Sequence, residues 1–421
     1  MGSALSLLPL AAAQSDHGAE PIRAILLTLA FILVGAKLAG ALVERMGQPA
    51  VVGELLVGIL LGNLTFLGPG VEVVRASETF TVLAELGAIL LLFQAGLEST
   101  PREMLAVGGR ATLVAVVGVV TPMALGFGVG SLVHPQESWL FHAFLGAMLS
   151  ATSVGITARV LGDAGALRMP FARIILGAAV IDDVLGLLLL AVVSGIITAA
   201  NLGTSVGLGA LAAIVVKAVV FLVGALLVGS LGAPRLFKSA LRLRSTGLVQ
   251  ALSLSLCFVL SYLAAAVGLA PIVGAFAAGL VLEDVHFEGH VVRGDRPLHE
   301  SLEPLIALLV PVFFVRMGML VDVRAFLSGN VLGFALLLTA AAILGKLACS
   351  FVVPKGMSRL TVGLGMMPRG EVGLIFAGIG AQLVLEGRPV VDPSTYAAAV
   401  FMVVATTMAT PPLLMWAIKR S

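Results

Sequence analysis

Charge is scarce in this chain. Asp, Glu, Lys and Arg make up 11% of its 421 residues, and the formal net charge is only +2. Hydrophobic residues make up 59%, with a mean hydropathy of +1.11. A soluble domain cannot bury that much apolar surface, so the composition is that of a polytopic membrane protein. Cysteine is scarce too. Cys257 and Cys349 stand in separate apolar runs, which excludes a disulfide framework and any Cys/His metal spacing. No basic surface suited to nucleic acid is present. The start, ALSLLPLAAAQS, has an apolar core and an Ala-x-Ala-like end but no basic n-region. Residues 1–13 therefore read as either an incomplete signal peptide or a short outside tail.

What the chain has in abundance is apolar runs separated by short loops carrying Pro, Gly and charge. About thirteen are long enough to span a membrane: 22–44, 50–64, 80–97, 107–133, 139–161, 171–199, 206–231, 246–267, 271–282, 302–320, 331–353, 360–385 and 396–418. The ninth is short for a span, and no stretch is left over for a soluble regulatory domain. Loop charge orients the set. With the N-terminus outside, one side receives most loop cations, from Arg45, Arg168 and Arg173 to Lys419 and Arg420. The other side receives Arg23, Arg75, Arg324 and Arg388. Cationic loops stay cytoplasmic, so the expected orientation is N-out and C-in.

Ionisable residues inside the runs can be weighed singly. The sixth run, GAAVIDDVLGLLLL, carries Asp182 and Asp183 with apolar residues on both sides. A carboxylate at bilayer depth is costly and marks a cavity or a partner, and two neighbours resist ionising together. Lys346, deep in the eleventh run, needs a counter-charge, and one of these aspartates is the obvious one. Lys37 and Glu54 read equally as structural partners or as functional groups. Glu98 and Lys217 lie within snorkelling reach of helix ends. Arg316 reads as a pathway-lining cation or, preferably, as an outer-end snorkeller. His286, Glu288 and His290 fall in a charged loop and read as solvated.

Two runs look interrupted. Ser150-Ala151-Thr152-Ser153-Val154-Gly155 breaks the fifth with hydroxyls and a glycine, and Pro368-Arg369-Gly370-Glu371-Val372-Gly373 breaks the twelfth. Backbone leaves the helix at membrane depth only where protein or a water-filled cavity satisfies it. Transporters bind ions at such breaks, through freed carbonyls and half-helix ends. The broken fifth precedes the aspartate-bearing sixth as the broken twelfth precedes the thirteenth, and the fourth corresponds to the lysine-bearing eleventh. An offset of seven, an odd number, makes an inverted repeat with the seventh helix as connector.

These motifs together resemble the monovalent cation/proton antiporter-2 family, in particular bacterial sodium/proton exchangers with an Asp-Asp motif. The resemblance rests on Gln48-Pro49 with GELLVGILLG (53–62), FQAGLE (93–98), ATSVGITARVL (151–161), GAAVIDDVLGL (177–187), PVFFVRMGM (311–319) and MPRGEVGLI (367–375), all in order. It implies an all-α fold of about thirteen transmembrane helices, an inverted repeat with two crossing discontinuous helices. It further implies a homodimer in the bacterial inner membrane. Dimerisation segments would cover 1–100 and 236–327, core transport segments 101–200 and 328–421, and a linker helix 201–235. By the same resemblance Asp183 is the principal Na+ and proton site and Asp182 the partner of Lys346. Thr152 and Ser153 lie at the first crossing, and Arg369, Glu371, Gly155 and Gly370 support the crossing helices. Arg316 departs from the pattern, since related chains often carry an uncharged residue there. The implied activity is Na+ (or Li+) exchange for H+ by alternating access, electrogenic if Lys346 also cycles a proton, serving sodium and pH homeostasis. No cofactor is expected beyond the transported ions. A K+/H+ exchanger is the nearest alternative. A sodium/organic-solute symporter needs a larger cavity. An intramembrane aspartyl protease needs carboxylates from different helices, whereas adjacent residues project about 100° apart.

Overall fold

The computed structural model describes residues 19–63, 77–99, 108–201, 208–242, 247–282, 298–327, 329–354 and 356–420. The N-terminal tail, the loop with His286, Glu288 and His290, and the cations Arg75, Arg244 and Lys355 lie outside the described residues. The helices are α1 (Ala19–Arg45), α2 (Ala50–Asn63), α3 (Glu78–Glu98), α4 (Gly108–Val133), α5 (Trp139–Ser150), α6 (Val154–Asp163), α7 (Pro170–Asn201) and α8 (Leu208–Arg242). They continue as α9 (Leu248–Ala266), α10 (Pro271–Val281), α11 (Leu298–Met319), α12 (Gly329–Leu347), α13 (Arg359–Gly365), α14 (Gly370–Gln382) and α15 (Pro393–Ile418). Every apolar run read from the sequence holds one of them.

Among the described residues, ten helical segments, with α5 and α6 counted as one across their break, are long and apolar enough to cross a membrane, or eleven if the bent α13–α14 pair counts as one span. The shorter apolar helices α2 and α10 occupy the second and ninth runs. Helix starts follow local chemistry. Ser138 caps α5 by accepting from the Phe141 N–H, and Asp392 caps α15 by accepting from Thr395, with Pro393 in the first turn. Two details depart from a purely helical reading. The eleventh run ends in a 3-10 turn, Ala348–Val352, ahead of Pro354. The twelfth does not stay helical to 385: α14 stops at Gln382, and β1 (Val384–Leu385) pairs antiparallel with β2 (Arg388–Pro389). Glu386 and Gly387, both at positive φ, make the two-residue loop that such a hairpin requires.

The chain divides into two compact units. The first comprises Met1–Gly87 and Ala307–Val323. Its helices meet at glycines. Gly58 of α2 and Gly318 of α11 face each other so closely that a Cβ on either would lie 2.8 Å from the other's Cα. Gly62, one turn on, meets the Met319 backbone, so the small-xxx-small spacing acts as a helix-packing seam. Asn63 ties the end of α2 to the chain after α11, donating to the Val321 carbonyl at 2.7 Å and accepting from the Val323 N–H at 3.0 Å. Lys37 and buried Glu54 are partners at 3.6 Å. Arg316 stacks over the Phe80 ring at 5.9 Å.

The second unit comprises Ala88–Ile306 and Arg324–Ser421. Its core packs α4, α6 and α7 around Val114, Leu161, Phe171 and Ile175, closed by Cys349, Val362 and Met366. Gly96 of α3 and Gly279 of α10 repeat the close glycine contact, with a Cβ on Gly279 placed 2.7 Å from the Gly96 Cα. All of the remaining chemistry lies within this unit.

Candidate functional site

Two helix interruptions meet here. Between α5 and α6, residues Ala151 to Ser153 are extended. Between α13 and α14, Met366 to Arg369 leave the helix, and the two halves are bent by 44°. Pro368 supplies no N–H and restricts the residue before it, while Gly370 adopts φ +43. A Cβ on Gly370 would strike the Ser153 side chain, so this position needs glycine for space as well as conformation.

The breaks bond directly to each other. Ser153 N–H donates to the Pro368 carbonyl at 2.9 Å, and the Ser153 hydroxyl donates to Glu371 Oε2 at 2.8 Å. Thr157 donates to the Gly365 carbonyl at 2.6 Å. The Gly370 N–H donates to Thr407 Oγ1 at 3.2 Å, tying in α15. Arg369, wholly buried, is the central clamp. Its Nη1 donates to the Ala151 carbonyl at 2.7 Å, and its Nη2 donates to the Ala342 carbonyl of α12 at 2.8 Å. Several carbonyls that the breaks would release to an ion are thus already engaged by protein donors. The oxygens left over are side-chain ones. Among the described residues, the buried Thr152 Oγ1 and Asp182 Oδ2 have no hydrogen-bond partner.

The two adjacent aspartates diverge, as the helical period demands. Asp182 is wholly buried, with Oδ1 2.7 Å from Lys346 Nζ, which is buried as completely. Asp183 keeps partial exposure. Gly155 is exposed, with open space where a Cβ would stand. Ser153 and Glu371 are brought together, and Asp182 and Lys346 form a separate pair.

Some neighbours had no individual signal in the sequence. Gly118 of α4 lies over the ion pair: a Cβ there would be 3.4 Å from Asp182 Oδ1, 3.4 Å from Lys346 Nζ and 3.1 Å from Cys349 Sγ. Pro122, four residues on, lacks the N–H that would bond the Gly118 carbonyl, and its ring packs on Gly345 of α12. A proline inside an apolar run was the available clue. The Cys349 thiol donates to the Val114 carbonyl at 3.4 Å and closes this side.

This arrangement can hold a hard monovalent cation or a proton on Asp183. Three carboxylates (Asp182, Asp183, Glu371) accompany two fixed cations (Lys346, Arg369), one positive charge short of neutrality when all are ionised.

Comparison with known proteins agrees. The family described as sodium/hydrogen exchanger, transmembrane, matches residues 19–416. The chain is 37% identical to the high-affinity Na+/H+ antiporter NhaS3 of Synechocystis over 93% of its own length and 89% of that protein's. It is 36% identical to the Na+/H+-K+ antiporter GerN of Bacillus cereus, over 92% and 94%. It is 32% identical to an Na+/H+ antiporter of Enterococcus hirae, over 93% and 97%. In fold it is similar to the sodium proton antiporter MjNhaP1 from Methanocaldococcus jannaschii, with a TM-score of 0.71 at 19% identity, covering 95% of this chain and 99% of that one. With its paired helix breaks, its aspartate-bearing α7 and this match over nearly its whole length, the chain belongs to the transmembrane sodium/hydrogen exchanger family.

Proposed function

We propose that this protein exchanges Na+ or Li+ for H+ across the bacterial inner membrane by alternating access, with Asp183 as the site where cation and proton compete. The observation that carries the reading is the division of labour between the aspartates. Lys346 occupies Asp182, and Asp183, the other carboxylate of the pair, keeps partial exposure. Carrying an unneutralised charge past an apolar barrier is unfavourable. One bound Na+ or one proton neutralises Asp183, so each loaded form crosses and the empty form, with Asp183 bare, does not. Thr152 Oγ1 and the lone pairs of Ser153 supply further oxygens to the cation.

Lys346 adds the second proton. Asp182 Oδ2 is free to turn toward a bound cation. Weakening the ion pair lets Lys346, wholly out of solvent, release its proton, as buried lysines readily do. Two protons for one Na+ makes exchange electrogenic. The chain is oriented N-out and C-in and works as a homodimer, with 1–100 and 236–327 for dimerisation, 101–200 and 328–421 for transport and 201–235 as linker. Its role is sodium and pH homeostasis. A K+/H+ activity is the second reading, favoured by similarity to a relative named for K+ as well as Na+.

The test is exchange in everted vesicles with Na+, Li+ and K+ across pH, wild type beside Asp183→Asn. Na+- or Li+-driven proton movement in the wild type alone is the expected result. Equal exchange in Asp183→Asn removes the site, and a response to K+ without one to Na+ replaces the substrate.

A further inference from the structure

A second set of titratable groups lies away from the aspartates, at the start of α5. His142 is buried, 6% exposed, and both of its ring nitrogens are engaged. Nε2 is 3.0 Å from the carbonyl of His134, which also accepts the Glu137 N–H at 3.0 Å. A carbonyl only accepts, so Nε2 carries a hydrogen in every protonation state. Nδ1 is 3.3 Å from Ser131 Oγ on α4. Ser131 has one hydroxyl hydrogen, directed to the Phe127 carbonyl at 2.9 Å. In that arrangement Ser131 can only accept from Nδ1, and the ring is then an imidazolium. A neutral ring requires the hydroxyl to leave Phe127 and donate to Nδ1 instead. Phe127 still accepts within its own helix, so neither state strands a buried group.

We infer that His142 is a second proton-binding site, facing the outer side, whose occupancy Ser131 reads out by turning its hydroxyl between Nδ1 and the Phe127 carbonyl. The ring sits tightly. A Cβ on Gly130 would lie 3.0 Å from His142 Cδ2, and Phe127 and Phe141 meet the imidazole edge-on at 5.5 and 5.7 Å. The titratable groups facing it are His134, whose own Nε2 is buried without a partner among the described residues, and the exposed Glu137. Elements packed on α5 carry Arg110 (α4), Arg173, Asp182 and Asp183 (α7), Lys346 (α12) and Glu371 (α14). Among the described residues none of these hydrogen-bonds to His142 or forms an ion pair with it. Its charge therefore has no carboxylate to cancel it. His142 lies eight residues, or about 12 Å of helix, from Ser150 at the break. A proton bound here places a cation on the half-helix that leads to the cation site and opposes Na+ entry from that side.

The outward placement rests on the orientation and competition proposed above, so the test has an arm that does not. In 15N-histidine-labelled protein in nanodiscs, with His134→Asn to simplify assignment, the His142 ring should pass on acidification from protonation at Nε2 alone to protonation at both nitrogens. Ser131→Ala should shift the midpoint of that change. A ring that keeps one charge state, or a neutral form protonated at Nδ1, overturns the inference. In right-side-out vesicles with internal pH clamped and Na+ saturating, lowering external pH from about 8 to about 6 should slow the wild type. Saturating Na+ relieves competition at Asp183 but not a charge at His142. His142→Gln, which can bond both partners without charging, should keep the rate at the higher pH and lose this acid response. An unchanged response in both His142→Gln and Ser131→Ala would overturn the proposal.

Discussion

At the residue scale, the chemistry depends on which oxygens and nitrogens are already spoken for. Asp182 and Lys346 satisfy each other out of solvent, and removing one partner strands the other at a cost of about 3–5 kcal/mol. Lys346→Gln should therefore lower the melting temperature in detergent and convert exchange to an electroneutral one. Unchanged melting together with unchanged voltage sensitivity would leave Lys346 without the role given to it. Thr152 and Ser153 make a second test. Because Thr152 Oγ1 is unpartnered and Ser153 spends its hydrogen on Glu371, both present lone pairs. The double alanine variant should raise the apparent KM for Na+ with little change in folding, measured by vesicle exchange and thermal shift. Wild-type Na+ dependence would remove both from the site.

Elements come next, and here close backbone approach decides. Gly118 leaves room for the Asp182–Lys346 pair, and its Cβ position is within contact of both charged atoms. Gly118→Val should push α4 away from that pair at a cost of about 1–3 kcal/mol, as overpacking does. The check is thermal stability, with Gly128→Val on the same helix, where a Cβ meets nothing within 4 Å, as control. How much of this was legible follows from the physics of each position. The broken helices could be read because Pro368, Gly370 and the hydroxyls of 150–153 contradict an apolar helix in their own local sequence. The pairing of Lys346 with an aspartate could be read because a lone ammonium in lipid is too costly to leave alone. Which aspartate pairs could not be derived from composition or spacing, since it depends on the rotation of α7 against α12. Gly118 was silent for the same reason: its importance comes from residues 64 and 228 positions away. The hairpin after α14 was hidden because Val384 and Leu385 continue an apolar run, and only Glu386-Gly387 marks the turn.

For the whole molecule, the consequences concern placement in the membrane. Cys257 and Cys349 are both buried, so they give a quiet background for labelling. Glu386→Cys, in the exposed hairpin turn, should react with a membrane-impermeant maleimide on right-side-out vesicles, and Lys419→Cys only on everted ones. The reverse pattern would invert the orientation. The outer position proposed for His142 stands or falls with the same labelling.

The guanidinium of Arg369 bears on kinetics. It holds the Ala151 and Ala342 carbonyls by its own hydrogen bonds, and the Ser153 N–H holds the Pro368 carbonyl. A crossing tied in advance has little disorder left to lose when an ion arrives, so binding carries a small ordering cost. Turnover is then limited by the crossing movement itself, and Na+ association should look fast and featureless beside it.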